Sequence, residues 1–446
     1  MFEHLDDPSP PAPTARTLGG VLRRAAQLRR RRAVSALGVV GTGTLALGVA
    51  IGLLVPRSSP ALAVTNYSAH ASTLRVGALV APSDLADVVF VGRSSGFALA
   101  IHGEQTGLAT SRDAGDTWRV VNTALPSGYP AQLEFADLVH GYLWGGAPSA
   151  AGTLPLWVTA DGGRSWTKAP VGPVVSDVST AGANVWAVVG TCPITSSVPG
   201  RWCPVDVEVS FDHGSTWTPS EVPPPMSENS GVAISDQYVE LARITPTRAY
   251  VLAFESVTEG AGPSTGRLVF TGDGGRTWQS RTDPCPATFG FGEQIAASAT
   301  DDLWMMCASQ ASAGSQAKTL YRSSDGGTTW ALTAAANAPL LSGNVTLSAP
   351  GSLPVGGYVS PYSLGHDNLA VITPVRAWLF PDRTGVFETT DGGRTWKLTP
   401  GLAAAGLVGG GAGNVVFVDA THGWACQAGS GLWRTSDGKS WRRLGP

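Results

Sequence analysis

Lysine is nearly absent: four residues, at 168, 318, 397 and 439, in a chain of 446. Charged residues make up only 14% of the chain and the net charge is −3. A balance this close to neutral excludes a general electrostatic affinity for nucleic acid. The five cysteines (192, 203, 285, 307 and 426) form no C-x-x-C pair and have no histidine at zinc-binding spacing. The sequence therefore predicts no metal site and no cofactor. A helical bundle is disfavoured as well, because Trp, Thr, Val and Gly are plentiful and lysine is scarce. The 56 glycines and 32 prolines stay below the level of low-complexity chains, and 43% apolar residues suffice for a core.

The first 32 residues are set apart. Seven arginines (16, 23, 24, 29, 30, 31 and 32) against Glu3, Asp6 and Asp7 leave a local net charge of +4. Pro8, Pro10, Pro11 and Pro13 predict an extended start, and 17–28 has the pattern of a short basic amphipathic helix. Residues 33–55 then carry no charge. As a helix, this run is long enough for a hydrocarbon slab of about 30 Å. The preceding arginines orient it with the N-terminus cytoplasmic and everything after Pro56 outside, and they meet anionic lipid. Ala61-Leu62-Ala63 offers a second outcome, signal-peptidase cleavage and secretion. Both place the bulk of the chain in an oxidising compartment. There Cys192–Cys203 and Cys285–Cys307 are expected as disulfides, with Cys426 left over, either a buried thiol or a partner for an intermolecular bond. Residues 56–84 read as linker and possible closing strand, with 73–81 the candidate strand.

One motif then recurs seven times, S/T-x-D-x-G-x-S/T-W. The first copy is Ser111-Arg-Asp113-Ala-Gly115-Asp-Thr117-Trp118. The others end in Asp161…Trp166, Asp212…Trp217, Asp273…Trp278, Asp325…Trp330 and Asp391…Trp396, and the last, Asp437…Trp441, is one residue short. This is the chemistry of a turn. The carboxylate accepts backbone N–H groups a few residues on, Gly supplies positive φ, and Ser/Thr hydroxyls close the hairpin. Each of these aspartates is a lone carboxylate in its own turn, so the seven read as structural rather than catalytic or metal-binding.

A second element leads each box. Residues 87–98 read DVVFVGRSSGFA and residues 414–425 read NVVFVDATHGWA. Asp137-Leu-Val-His140-Gly141-Tyr142 matches Asp419-Ala-Thr-His422-Gly423-Trp424, and weaker copies centre on Trp186, Tyr250, Trp304 and Trp378. Each unit thus reads strand, tight turn, strand, strand, box, strand. The spacings from box Asp to box Asp are 48, 51, 61, 52, 66 and 46. Four strands at that period predict an all-β, seven-bladed propeller of four-stranded antiparallel blades over 85–446. A linear β-solenoid is the alternative, with shorter rungs.

The boxes and leaders resemble the Asp-box (BNR) repeats of sialidases, sortilin-type receptors, xyloglucanases and the photosystem II assembly-factor propellers. The leader D-x-x-x-G-W followed by T-x-D-G-G-x-T-W most resembles the last group. The resemblance covers nearly all of the chain beyond the apolar run and implies a fold rather than an activity. Sialidases carry an Arg-Ile-Pro-like motif ahead of their first box, and here the nearest string is Arg243-Ile244-Thr245-Pro246, in blade four. Glu134, Glu208, Glu240, Glu255, Glu293 and Glu388 are scattered, and no glycosidase pair stands out among them.

In a propeller the boxes and leader turns share one face, and the irregular insertions fall on the other. Variable loops on a rigid scaffold are where binding concentrates. Trp202, Phe289, Phe291, Tyr358 and Tyr362 are the candidate contact residues there. The expectation is a non-catalytic, membrane-anchored extracytoplasmic scaffold binding an unknown protein or glycan. A sialidase-like hydrolase and a sensor signalling through the single helix are the alternatives. Beyond Arg57 the chain carries a net −8, which disfavours polyanionic ligands.

Overall fold

The computed structural model describes residues 73–446, except 128–130, 147–148, 150, 191–204, 221–236, 256–266, 287–288, 290–291, 299–301, 310–315, 338–347, 357–358, 360–368, 382–383, 400–401, 403–412, 428 and 446. The cytoplasmic segment 1–32 and the apolar run 33–55 lie outside the described residues. Among the described residues, no helix is long and apolar enough to cross a membrane.

Residues 74–446 form one compact unit of seven sheets. Blade one is β1 (Leu85–Phe90), β2 (Gly96–His102), β3 (Gln105–Ser111) and β4 (Arg119–Asn122). Blade two is β5 (Ala131–Phe135), β6 (Gly141–Gly145), β7 (Trp157–Thr159) and β8 (Thr167–Lys168). Blade three is β9 (Val174–Ala181), β10 (Asn184–Gly190), β11 (Val205–Ser210) and β12 (Thr218–Ser220). Blade four is β13 (Gln237–Thr245), β14 (Arg248–Glu255), β15 (Arg267–Thr271) and β16 (Gln279–Arg281). Blade five is β17 (Gly292–Ser298), β18 (Asp302–Ala308), β19 (Lys318–Ser323), β20 (Ala331–Ala336) and β21 (Gly351–Ser352). Blade six is β22 (Leu369–Thr373), β23 (Arg376–Leu379), β24 (Phe387–Thr389) and β25 (Lys397–Leu398). Blade seven is β26 (Gly413–Phe417), β27 (Gly423–Gln427), β28 (Gly431–Thr435) and β29 (Arg442–Leu444).

Each blade is an antiparallel meander, as the repeats predict. Blade five departs from four strands: β21 adds in parallel to the outer edge of β20. The first strands of consecutive blades touch all round the circuit, β1, β5, β9, β13, β17, β22, β26 and back to β1. They are therefore innermost, and the ring is closed.

Among the described residues, closure exchanges no strand between the ends. The expected closing strand lies elsewhere: Leu79 bridges Arg119, with Val80 N–H bonded to the Trp118 carbonyl at 3.0 Å. This segment thus lines the outer edge of blade one, not the last blade. It covers Trp118, which is fully buried, whereas the box tryptophans at 166, 217, 278, 330, 396 and 441 stay half-buried. An outermost strand has no neighbour beyond it unless another segment is laid across it.

The core between blades comes from the leaders. Trp186, Trp304, Trp378, Trp424, Tyr142, Tyr250 and Phe97 sit near the start of the second strands and are all buried. Burial of one such ring contributes on the order of 3 kcal/mol. In the best-matched leaders, a phenylalanine ending the first strand reaches back to the preceding blade. Phe135 stacks on Phe97 and Phe417 on Trp378, while Phe90 stacks on Trp424 at 3.6 Å and joins blade one to blade seven. The same Phe lies across its own leader glycine, where a Cβ on Gly141 would meet the Phe135 ring at 2.4 Å. The Phe…Gly-aromatic spacing is therefore a packing rule as well as a turn.

A polar belt runs inside the ring. Asp87 accepts the Leu133 N–H, Asp177 the Leu241 N–H and Glu240 the Ile295 N–H, each from the next blade's innermost strand. These bonds satisfy backbone donors that the staggered inner strands leave unpaired.

Candidate functional site

The boxes perform the turn chemistry their residues predict. Around Asp161, Thr159 Oγ1 donates to Oδ1 at 2.8 Å, Ser165 N–H to Oδ1 at 2.9 Å and Ser165 Oγ to Oδ2 at 2.6 Å. Gly163 N–H returns to Thr159 Oγ1, and the Trp166 indole donates to the Gly163 carbonyl. Thr216, Thr277 and Thr329 hydroxyls, with the following backbone N–H groups, hold the carboxyls of Asp212, Asp273 and Asp325 down at about 2. Asp113 and Asp391 make the same bonds. The shortened last box keeps the carboxylate but replaces the pattern with Lys439 and Ser440 N–H groups on Asp437 Oδ1. Ala114, Gly162, His213, Gly274 and Gly392 each donate a backbone N–H to the leader turn of their own blade. Boxes and leader turns thus share one face.

The opposite, box-distal face is built most fully at blade five. Cys285, in the connection from blade four, is bonded to Cys307 near the end of β18. Phe289 is fully buried in the same cluster as Cys307, Ile295 and Tyr250. It therefore offers no surface to a partner, a correction to its reading as a contact residue: the connection is anchored by this ring. Trp202, Phe291, Tyr358 and Tyr362 lie outside the described residues, as do Cys192 and Cys203. Among the described residues, Cys426 is a free thiol, buried, and burial raises its pKa far above the ordinary range.

Sequence reading missed the strongest device on this face. Lys318 opens β19 and is 0% exposed, yet it carries an ammonium group. Its Nζ donates to the carbonyls of Gln316, Pro354 and Val355 at 3.1–3.2 Å and reaches that of Gly356 at 3.5 Å. Desolvation by burial draws its pKa down to about 8. Next to it the Gln316 amide donates to the Ser309 and Val359 carbonyls and accepts the Val359 N–H at 2.7 Å. Together with β21, these bonds fix 351–356 and Val359 onto the distal end of blade five. The only sequence signal was the scarcity of lysine, which made Lys318 unusual without saying where it pointed.

The scattered glutamates are structural where they are described. Glu134 accepts Thr180 Oγ1, Glu208 the Gly172 N–H at 2.8 Å, and Glu388 pairs with Arg376 at 2.8 Å. Glu293 is 2% exposed, and desolvation, then the neighbouring Asp283, raise its pKa well above the usual carboxylate range. Asp283, Cys285 and Glu293 converge, but the Cys285 sulfur is committed to the disulfide and is no thiolate ligand. A second convergence, Asp137, His140 and His213, lies on the box face at the junction of blades two and three.

No family model matches the chain, and no curated protein matches it. Among solved structures it is similar to YCF48 bound to a D1 peptide, at 17% identity over 81% of this chain and 97% of that one, TM-score 0.46. It is similar to YCF48 from Cyanidioschyzon merolae at 14% identity over 81% and 99%, TM-score 0.43. It is also similar to a polysaccharide lyase, ulvan lyase PL25, at 9% identity over 83% and 96%, TM-score 0.47. At these identities the likeness is one of fold alone.

Proposed function

We propose that this chain is a non-catalytic binding or assembly scaffold: a propeller held at the outer side of a membrane by residues 33–55, which contacts a protein or glycan through its box-distal loops. The observation that carries this reading is the distal end of blade five. A disulfide at Cys285, a buried ammonium on four carbonyls and a buried amide tie the described parts of the connections there to the blade. Loops fixed in this way lose little conformational entropy on binding, which is what a contact surface requires. The disulfide fits an oxidising compartment. The boxes, by contrast, spend their polar groups on their own turns.

The test is site-specific photocrosslinking in the native membrane, with the crosslinker placed at Trp202, Phe291 or Tyr358 on the distal side and at Thr117 or Thr277 on the box side. Crosslinks to one discrete species from the distal positions alone support the reading. Crosslinks from the box positions alone overturn it. Turnover of a fluorogenic sialoside by the purified chain would overturn the non-catalytic part.

A further inference from the structure

At six of the seven blade junctions, a side chain of one blade donates to a box carbonyl of the next. Asn122 bonds Gly163 O at 2.9 Å, and Ser220 bonds Gly275 O. Arg281 bonds Gly326 O at 3.1 Å, and Arg322 bonds Gly392 O at 3.4 Å. Arg376 bonds Gly438 O, and Arg434 closes the ring on Ala114 O at 3.0 Å. The junction of blades two and three is different. The register position held by Arg322 in blade five and Arg434 in blade seven is Val158 in blade two. A cavity of about 360 Å³ opens beside it, lined by His140, Asp161, Lys168 and His213.

Two histidines meet there. His140 comes from the leader turn of blade two and His213 from the box of blade three, and their rings lie 3.8 Å apart. His213 has φ +58°, at a box position where Gly162, Gly274, Gly326 and Gly392 also take positive φ and Ala114 of blade one has φ +61°. A Cβ-bearing residue is strained in that region and glycine is not. The His213 Nδ1 is buried without a hydrogen-bond partner. His140 Nδ1 lies 2.8 Å from Asp137 Oδ2, and Asp137 Oδ1 is fixed by the N–H groups of Val139 and His140. The ligand atoms of Asp137, His140 and His213 all fall within 4.8 Å of one another.

We propose that these three residues form a binding site for a divalent first-row transition-metal ion, which ties blade two to blade three where the other junctions use a side-chain donor. Two imidazoles and one carboxylate are the donor set such ions prefer over Mg²⁺ or Ca²⁺. The ion takes the place of the proton between His140 Nδ1 and Asp137 Oδ2, which is released. The 2.8 Å separation of those atoms fits adjacent ligands at right angles with bonds of about 2.0–2.1 Å. His213 supplies the third ligand through Nδ1, and the remaining positions face the cavity and water. A metal lies in the plane of each ring that binds it, so the stacked pair must open. The cavity gives the His213 ring room to turn.

The blade-seven leader supplies an internal control. Asp419 and His422 repeat the Asp137–His140 pair at 3.0 Å, but the residue across that junction is Ala114. The test is isothermal titration of the dialysed full-length chain with Zn²⁺, Co²⁺ and Mg²⁺ as chloride salts, with thermal melts of each sample. Wild type takes up one Zn²⁺ or Co²⁺, melts higher when loaded, and ignores Mg²⁺. His213→Gly and His140→Ala each weaken uptake at least tenfold, while His422→Ala leaves it unchanged. Because glycine relieves the strain at φ +58°, metal-free His213→Gly melts no lower than metal-free wild type, so its loss of uptake does not report misfolding. Absence of Zn²⁺ uptake by wild type, undiminished uptake by His213→Gly, or an equal loss in His422→Ala overturns the site.

Discussion

The two faces of the propeller are made by different means. On the box face one short-range solution is repeated: an aspartate, a glycine and two hydroxyls within eight residues, each turn nearly a copy of the last. On the distal face the described contacts at blade five are of a different kind: a disulfide, Lys318, Gln316 and β21 hold the connections there. A repeated local motif gives a regular face with few side chains to spare. A face made of single long-range contacts can be shaped to one partner. The His140–His213 junction is the place where the regular face breaks its own pattern.

Substitutions can sharpen that contrast. The largest effect is expected between the faces, in the shared core. Trp424→Ala removes the stack on Phe90 and the indole bond to the Ala114 carbonyl, and unfolds the ring about 3–5 kcal/mol more easily in urea. Reduction of Cys285–Cys307, which closes a separation of 22 residues, costs about 3 kcal/mol by the same assay. Equal denaturation midpoints with and without reductant would show that the distal loops do not depend on it.

Lys318→Met strands several buried carbonyls, at about 2 kcal/mol. Hydrogen exchange at 351–356 rises, while blade one keeps its protection. Uniform loss of protection around the ring would erase the distinction between a locally built face and a repeated one.

Titration distinguishes the faces by the pH window in which stability changes. The folded state holds Lys318 at about 8 against an ordinary 10.5, so the unfolded chain binds more protons between those values. The penalty for its charge is complete below pH 8 and relieved as pH rises towards 10.5. Wild type therefore gains stability across that window relative to Lys318→Met. Box carboxylates held at about 2 give the same slope in a different window: their contribution is present above pH 4 and is lost as pH falls towards 2. The smallest effect is a single exposed box aspartate. Asp325→Asn lowers the melting temperature only slightly, since its hairpin is also held by strand pairing, and it flattens the acid limb between pH 4 and 2.

The amino-acid chain alone specifies the number of blades, their meander order and the identity of every box turn. The information for each lies within a few residues: turn chemistry, strand alternation and the fixed distance from Phe to Gly to aromatic are local physics, repeated. It also determined the Cys285–Cys307 partnership and the spare Cys426. The folded arrangement is what settles how the ring closes and that 74–80 covers Trp118 rather than extending blade seven. It alone decided that Phe289 faces inward, that Lys318 meets the carbonyls of 354–356, and that His140 meets His213. Those contacts join segments distant in the chain. Their partners are set by which blade lies next to which and by how a loop returns over it, and no local pattern encodes either.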